Sequence, residues 1–170
     1  MSYFTTLHKG KHLNLVRRGN WEFAQRSNIS GIVGIVAVTD DGKLILVEQY
    51  RPPVDKRVIE LPAGIAGDLE EAKGESLADA ARRELIEETG YAAVEMKQIA
   101  HGPMSAGLSD EIITMFLATG LTKQTDGGGD ASEDIVVHLV PLDDIDAWLA
   151  SQEQQGKLID VKIFSGLRFV

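Results

Sequence analysis

Glu84 and Glu88 stand four residues apart in the segment Ala80-Ala81-Arg82-Arg83-Glu84-Leu85-Ile86-Glu87-Glu88-Thr89-Gly90-Tyr91. At 100° per residue, with Leu77 as zero, they fall at about 340° and about 20° on a helical wheel. Leu77, Ala80, Ala81 and Leu85 share that arc. Two acids thus occupy the middle of the most apolar face, where charge is tolerated when it is paired or bound to metal. On adjacent turns they repel each other, and a divalent cation between them reverses that penalty. Mg²⁺ suits the donors. It takes oxygen ligands, keeps several waters, and commonly joins one or two protein carboxylates to substrate phosphates. Such an ion improves a bound water as a nucleophile and offsets charge developing on a phosphoryl oxygen. Hydrolysis of a pyrophosphate link fits this pattern.

The flanking residues support the helix. Ser76 is a good N-cap, Asp79 makes a variant capping box with it, and Gly90 suits the left-handed residue that ends a helix. Arg83 and Glu87 form an i,i+4 pair beside the acidic arc, placed to hold the carboxylates from behind. The run Arg83-Glu84-Leu85-Ile86-Glu87-Glu88-Thr89-Gly90-Tyr91 resembles the core of the Nudix box, Arg-Glu-apolar-x-Glu-Glu-x-Gly-apolar. Glu75, eight residues before Arg83, matches the upstream Glu of the box. The leading Gly of the box does not match, because position 69 is Leu. Glu60-Leu61-Pro62-Ala63-Gly64 resembles the usual approach to the box. It leaves ten residues, 65–74, before Glu75 where the pattern has five, so we read a lengthened loop.

The Nudix resemblance implies an α/β/α sandwich with a mixed, partly curled sheet, covering roughly residues 30–146. It also implies a reaction in which a nucleoside diphosphate joined to another group is cut into two monophosphates. On that resemblance Glu84 and Glu88 are metal ligands and the Ala63 carbonyl is another. Mg²⁺ is the expected ion, with Mn²⁺ as a substitute. Glu87 is a ligand or a group behind the ligands, and Arg83 orients it. Glu75 anchors the loop and touches the metal. Glu133 is the candidate for activating water, with Asp134 next, since related ADP-ribose pyrophosphatases carry a catalytic Glu in the corresponding loop. Gly127-Gly128-Gly129 would give that loop freedom to close. No Gly-Lys-Ser/Thr follows, so the glycines do not read as a P-loop.

Substrate class rests on two further stretches. Val47-Glu48-Gln49-Tyr50-Arg51-Pro52-Pro53-Val54 resembles the ADP-ribose and nucleotide-sugar branch, in which the matching arginine contacts a substrate phosphate. A guanidinium at Arg51 can pair bidentately with phosphate. Ser105-Ala106-Gly107-Leu108-Ser109-Asp110-Glu111 resembles that branch's Ser-Pro-Gly-Phe-Ser-Asp-Glu loop, with Ala106 in place of Pro. Glu111 there recognises substrate or holds the loop. A nucleoside diphosphate sugar is therefore the expected substrate, ADP-ribose first. Another Nudix pyrophosphatase (for a dinucleoside polyphosphate, coenzyme A or an oxidised nucleotide) is the second reading. A nucleotide sensor that does not cut is the third, but Glu84, Glu87 and Glu88 are all present.

The elements that must position these residues read as α+β. Residues 11–18 and 21–26 form a hairpin around Gly19-Asn20, a two-residue turn signal. Residues 31–39 are rich in Ile and Val and read as a buried strand. Asp40-Asp41-Gly42 turns the chain into a partner strand, 43–50. A short strand at 57–60 leads to the helix at 76–89. Strands at 92–100, 112–119 and 135–140 follow, with closing helices at 142–152 and 160–167. Strands and helices mix without regular βαβ alternation. We divide the chain into N-terminal strands, 1–28, and the hydrolase domain, 29–170. A lone hairpin is marginal in water, so the first part is expected to build a two-fold homodimer that brings Trp21 and Glu22 to the partner's nucleotide site.

Composition fits one domain of 170 residues with 44% hydrophobic and 25% charged residues. The net charge of −9 argues against nucleic acid and anionic membranes. There is no cysteine, no long apolar run and no apolar leader, which favours the cytoplasm.

Overall fold

The computed structural model describes residues 4–67, 74–129 and 134–170. Two sheets form. The first is a three-stranded antiparallel sheet of β1 (Thr5–Lys9), β2 (Leu13–Arg18) and β3 (Trp21–Arg26). The second has eight strands: β4 (Gly31–Val38), β5 (Lys43–Arg51), β6 (Lys56–Glu60), β7 (Ala63–Ala66), β8 (Tyr91–Pro103), β9 (Ile112–Lys123), β10 (Val136–Pro141) and β11 (Leu158–Ile159). β4 runs parallel to β9 and β11 parallel to β6, while the other pairs are antiparallel. The sheet is mixed and does not close. Its long strands alternate faces, as a strand covered on both sides must. Val33, Ile35, Ala37 and Ile45 pack against α1 (Leu77–Thr89). Val36, Leu44 and Leu46 face the opposite layer, α2 (Ile145–Gln154) and α3 (Lys162–Gly166). This is the expected sandwich.

The N-terminal hairpin is larger than expected. Thr5–Lys9 adds a third strand to it, and all five residues are exposed, so no apolar alternation announced them. The sheet docks on its own chain. Ala24 N–H donates to the Leu108 carbonyl at 2.8 Å, Trp21 Nε1–H to Gly107 O at 3.2 Å, and Gln25 Nε2–H to Asp110 Oδ2 at 2.7 Å.

β4 and β5 pair with each other only at Ala37–Ile45 and Val38–Leu44. Beyond that they splay. β7 then fills in against the first half of β4, and β6 against the second half of β5. The Leu61-Pro62 link spans the split, and Ile35 N–H donates to Pro62 O at 2.8 Å. The opening this leaves is where the acids of α1 come to the sheet surface.

One polar knot lies inside the fold. The Glu48 side chain, 7% exposed, accepts from Arg57 Nε at 2.6 Å and Lys157 Nζ at 2.8 Å, and meets His138 Nε2 at 3.0 Å. Burial pushes its carboxyl up, but Lys157, His138 and Arg57 outweigh that and hold it at about 2, below the ordinary 4.5. Because the folded value is the lower one, the stabilisation is complete above pH 4.5 and is lost as pH falls toward 2. Glu48→Gln should cost about 3 kcal/mol at neutral pH, by removing the buried charge that the partly buried Lys157, His138 and Arg57 face. In thermal melts the gap to wild type should narrow below pH 4.5. A gap that is the same at pH 3 and pH 7 would contradict this role.

Candidate active site

α1 begins and ends as its sequence dictates. Ser76 Oγ accepts from Asp79 N–H at 3.1 Å, and Gly90 takes φ 79° while its N–H returns to Ile86 O. The helix buries Ala80, Ala81 and Leu85, small enough for close approach to the sheet, and with them Glu88. Gly64 on β7 is needed for the same reason. A Cβ there would lie 1.9 Å from the Glu84 carboxyl carbon, so only glycine lets that side chain cross the strand.

Arg83 organises the acids. Its Nη1 donates to Glu84 Oε1 at 2.8 Å and to Glu87 Oε2 at 3.0 Å, and its Nη2 donates to Glu75 Oε1 at 3.0 Å and to Ile65 O at 3.1 Å. Burial works against the Arg83 charge, but its bonds to Glu75 and Glu84 outweigh burial and raise its pKa above the ordinary value. Glu75 also accepts from Gly67 N–H at 3.3 Å. It therefore ties together the two sides of the long loop, whose residues 68–73 lie outside the described part. Glu88 Oε2 accepts from Ala63 N–H at 3.1 Å, which fixes the β7 peptide against the helix.

These groups open on a cavity of about 470 Å³. Glu84, Glu87, Glu88 and Arg83 line it from α1, and Ala63, Gly64 and Ile65 from β7. Gln49 and Arg51 line it from β5, Glu60 from β6, Glu111 from the turn before β9, Arg26 from β3, and Lys162 from α3. Among the described residues no three acidic or imidazole groups converge into a closed cation cage. The donors nonetheless fit a hard divalent ion. All are oxygens, and Mg²⁺ needs only one or two carboxylates when substrate phosphates and water complete its shell.

Of the residues singled out in the sequence, the cavity gathers Arg51, Ala63, Arg83, Glu84, Glu87, Glu88 and Glu111. Glu75 lies behind it, through Arg83. Glu133 lies outside the described residues. Asp134 is turned to Arg57 Nη1, at 2.8 Å. Trp21 lines a separate hollow with Arg18 and Phe23 and is 62% exposed, and Glu22 is exposed on β3. The glycine run also has a different job in its described part. Gly128 N–H donates to Glu88 O at 2.8 Å and Gly129 N–H to Glu87 O at 3.0 Å, closing the helix end. A Cβ on Gly127 would lie 2.4 Å from the Thr89 carbonyl carbon, so these glycines serve close contact rather than freedom.

Sequence reading left three charged cavity residues out of the site. Arg26 sits at the end of β3, its Nε 2.8 Å from Glu111 Oε1. Glu60 is 8% exposed and accepts from Arg51 Nε at 2.7 Å. Burial pushes the Glu60 carboxyl up, with Arg51 pulling part of the way back. Lys162 is the third. Glu60 was legible only as the residue before Leu-Pro-Ala-Gly, and Lys162 carried no signal.

A methanol dehydrogenase activator from Bacillus methanolicus is 42% identical over 112 residues, 66% of this chain and 57% of that protein. An ADP-ribose pyrophosphatase from Bacillus subtilis is 46% identical over 92 residues, 54% of this chain and 47% of that one. The matches thus span about half the length of these relatives. A solved ADP compounds hydrolase superposes with a TM-score of 0.65 at 21% identity, over 84% of this chain and 80% of its own, and so supports the fold. The NUDIX domain model matches residues 30–160, from the strand that opens the main sheet to the start of the last helical turn region, and with the acidic helix at its centre the chain belongs to that family.

Proposed function

We propose that this chain hydrolyses the diphosphate link of a nucleoside diphosphate sugar, ADP-ribose first, to a nucleoside monophosphate and a sugar phosphate. The observation that carries the reading is one cavity lined by both the α1 carboxylates and the Arg51 guanidinium. A diphosphate needs a cation-binding side and an anion-binding side, and this cavity offers both. The similarity to an ADP-ribose pyrophosphatase favours the substrate class.

Glu84, Glu88 and the Ala63 carbonyl would hold Mg²⁺, or Mn²⁺ in its place. When bound, the ion supplies charge stabilisation at the phosphoryl oxygens and a more acidic water. Arg83 keeps the acids in register through Glu84 and Glu87, and Glu75 holds Arg83. Arg51, fixed by Glu60, grips a phosphate. Glu133 takes the proton from the attacking water. Glu111, held by Arg26, contacts the substrate beyond the diphosphate.

Trp21 and Glu22 would act in a two-fold dimer. Leu7, Leu13, Leu15 and Trp21 leave apolar surface on the N-terminal sheet for a second copy to cover. Full-length chain should sediment as a dimer at micromolar concentration, and a chain starting at Asn28 as a monomer with weakened activity. A full-length monomer, or a truncated dimer of full activity, would refute this.

A panel of nucleoside diphosphate sugars, dinucleoside polyphosphates, coenzyme A and oxidised nucleotides, each with Mg²⁺, tests the substrate class. ADP-ribose should lead, with both monophosphates released. Turnover confined to the other compounds would overturn the assignment, and tight binding without turnover would point to a sensor.

A further inference from the structure

Glu60 is a buried carboxylate that shares its cavity with two cations from distant parts of the chain. Arg51, near the end of β5, donates its Nε–H to Glu60 Oε2 at 2.7 Å. Lys162 stands at the start of α3, near enough for its charge and that of its partner Asp160 to act on Glu60 in opposite senses. All three line the 470 Å³ cavity. The Lys162 ammonium is paired with Asp160, whose Oδ1 also accepts the Lys162 backbone N–H at 2.8 Å. Asp160 thereby holds the lysine stem, and the side chain keeps 18% of its surface open and lines the cavity.

A diphosphate linking two organic groups carries two negative charges at neutral pH, one on each phosphorus. The α1 carboxylates attract it only through a shared cation. On the remaining walls a second anionic oxygen needs its own positive partner. Arg51 supplies one, and Arg26 is committed through its Nε to Glu111. Lys162 is a further cation on the wall of the same cavity. A compact ammonium on a four-carbon stem can turn from Asp160 to a phosphate oxygen without moving the backbone.

We propose that Lys162 is a substrate-binding residue, contacting one phosphate of the diphosphate while Arg51, held by Glu60, contacts the other. The proposal rests on the diphosphate reading of the cavity. It adds to that reading a contact from the C-terminal helical segment, outside the stretch that the family model matches.

The test measures calorimetric affinity for the uncleavable α,β-methylene ADP-ribose, KM and kcat for ADP-ribose, and Tm, in wild type, Lys162→Met, Lys162→Arg and Asp160→Asn. Loss of one charged hydrogen bond should weaken binding of the analogue about tenfold or more in Lys162→Met. KM should rise in proportion, with kcat within about twofold of wild type. Lys162→Arg should recover most of the affinity. Asp160→Asn, which loosens the competing partner, should bind as tightly as wild type or more so, even with a lower Tm. Wild-type affinity in Lys162→Met would overturn the proposal and leave the diphosphate reading standing. So would matched losses of affinity and Tm in Lys162→Met and Asp160→Asn, which mark a purely structural pair. A wild-type protein that binds no diphosphate analogue would overturn both.

Discussion

Glu84→Gln and Glu88→Gln should each lower hydrolysis of ADP-ribose at least about a hundredfold, since each removes a charged oxygen from the cation's side of the cavity. The fold should survive. In Glu88→Gln the amide oxygen can still accept from Ala63 N–H, the bond that ties helix to strand. Glu84→Gln keeps the side-chain volume that crosses Gly64. Both changes relieve repulsion between acids on adjacent turns. Without Mg²⁺, Glu88→Gln should melt at or slightly above the wild-type temperature. Glu84→Gln should melt close to it, because it also weakens an Arg83 pair. Steady-state rates and thermal melts of both variants check this, and near-normal turnover in either would remove that residue from the cation site.

Glu133→Gln should lower kcat by about two orders of magnitude or more while KM stays close to wild type. A group that accepts a proton in the transition state contributes there and little to ground-state binding. Arg51→Ala should show the reverse split, with KM raised about tenfold by the loss of a charged contact. If Glu133→Gln keeps over about half of kcat, the proton acceptor lies elsewhere. Glu111 is then the first alternative, because it lines the cavity. Asp134 ranks below it, being engaged by Arg57 through both its carboxylate and its carbonyl.

The helix was legible because its signals are local. A cap, a 3.6-residue apolar arc and a terminal glycine all lie within fifteen residues of one another. The buried strands β4 and β5 were legible for the same reason, as continuous Ile and Val runs. β7 was not, since Ala63–Ala66 is mostly small residues without strand propensity. It forms because the splayed edge of β4 needs a hydrogen-bonding partner. β11 is two residues long and exists only as an addition to β6.

In the site, the acidic wall and Arg51 were readable, and the rest of the cationic wall was not. Glu75, Arg83, Glu84, Glu87 and Glu88 come from one short segment with fixed spacing. Arg26 and Lys162 join Arg51 and Glu60 through tertiary packing of segments near the two chain ends. Trp21 and Arg26 lie on the same strand, and pairing decides which of them reaches the cavity. Trp21 pairs with Arg18 at the hairpin turn, away from the cavity, whereas Arg26 pairs with Leu13 at the other end of the strand, beside Glu111. The glycine run was read for flexibility, but the backbone of Glu87 and Glu88 was the partner it was shaped to meet.

The most direct measurement is Mn²⁺ binding, followed by electron paramagnetic resonance with α,β-methylene ADP-ribose present, in wild type and in the Glu84→Gln/Glu88→Gln double variant. Wild type should bind Mn²⁺ saturably, more tightly with the analogue than without it. The double variant should lose that binding while its melting curve still shows a folded protein. Equal Mn²⁺ binding by the two folded proteins would contradict a cation site built on α1.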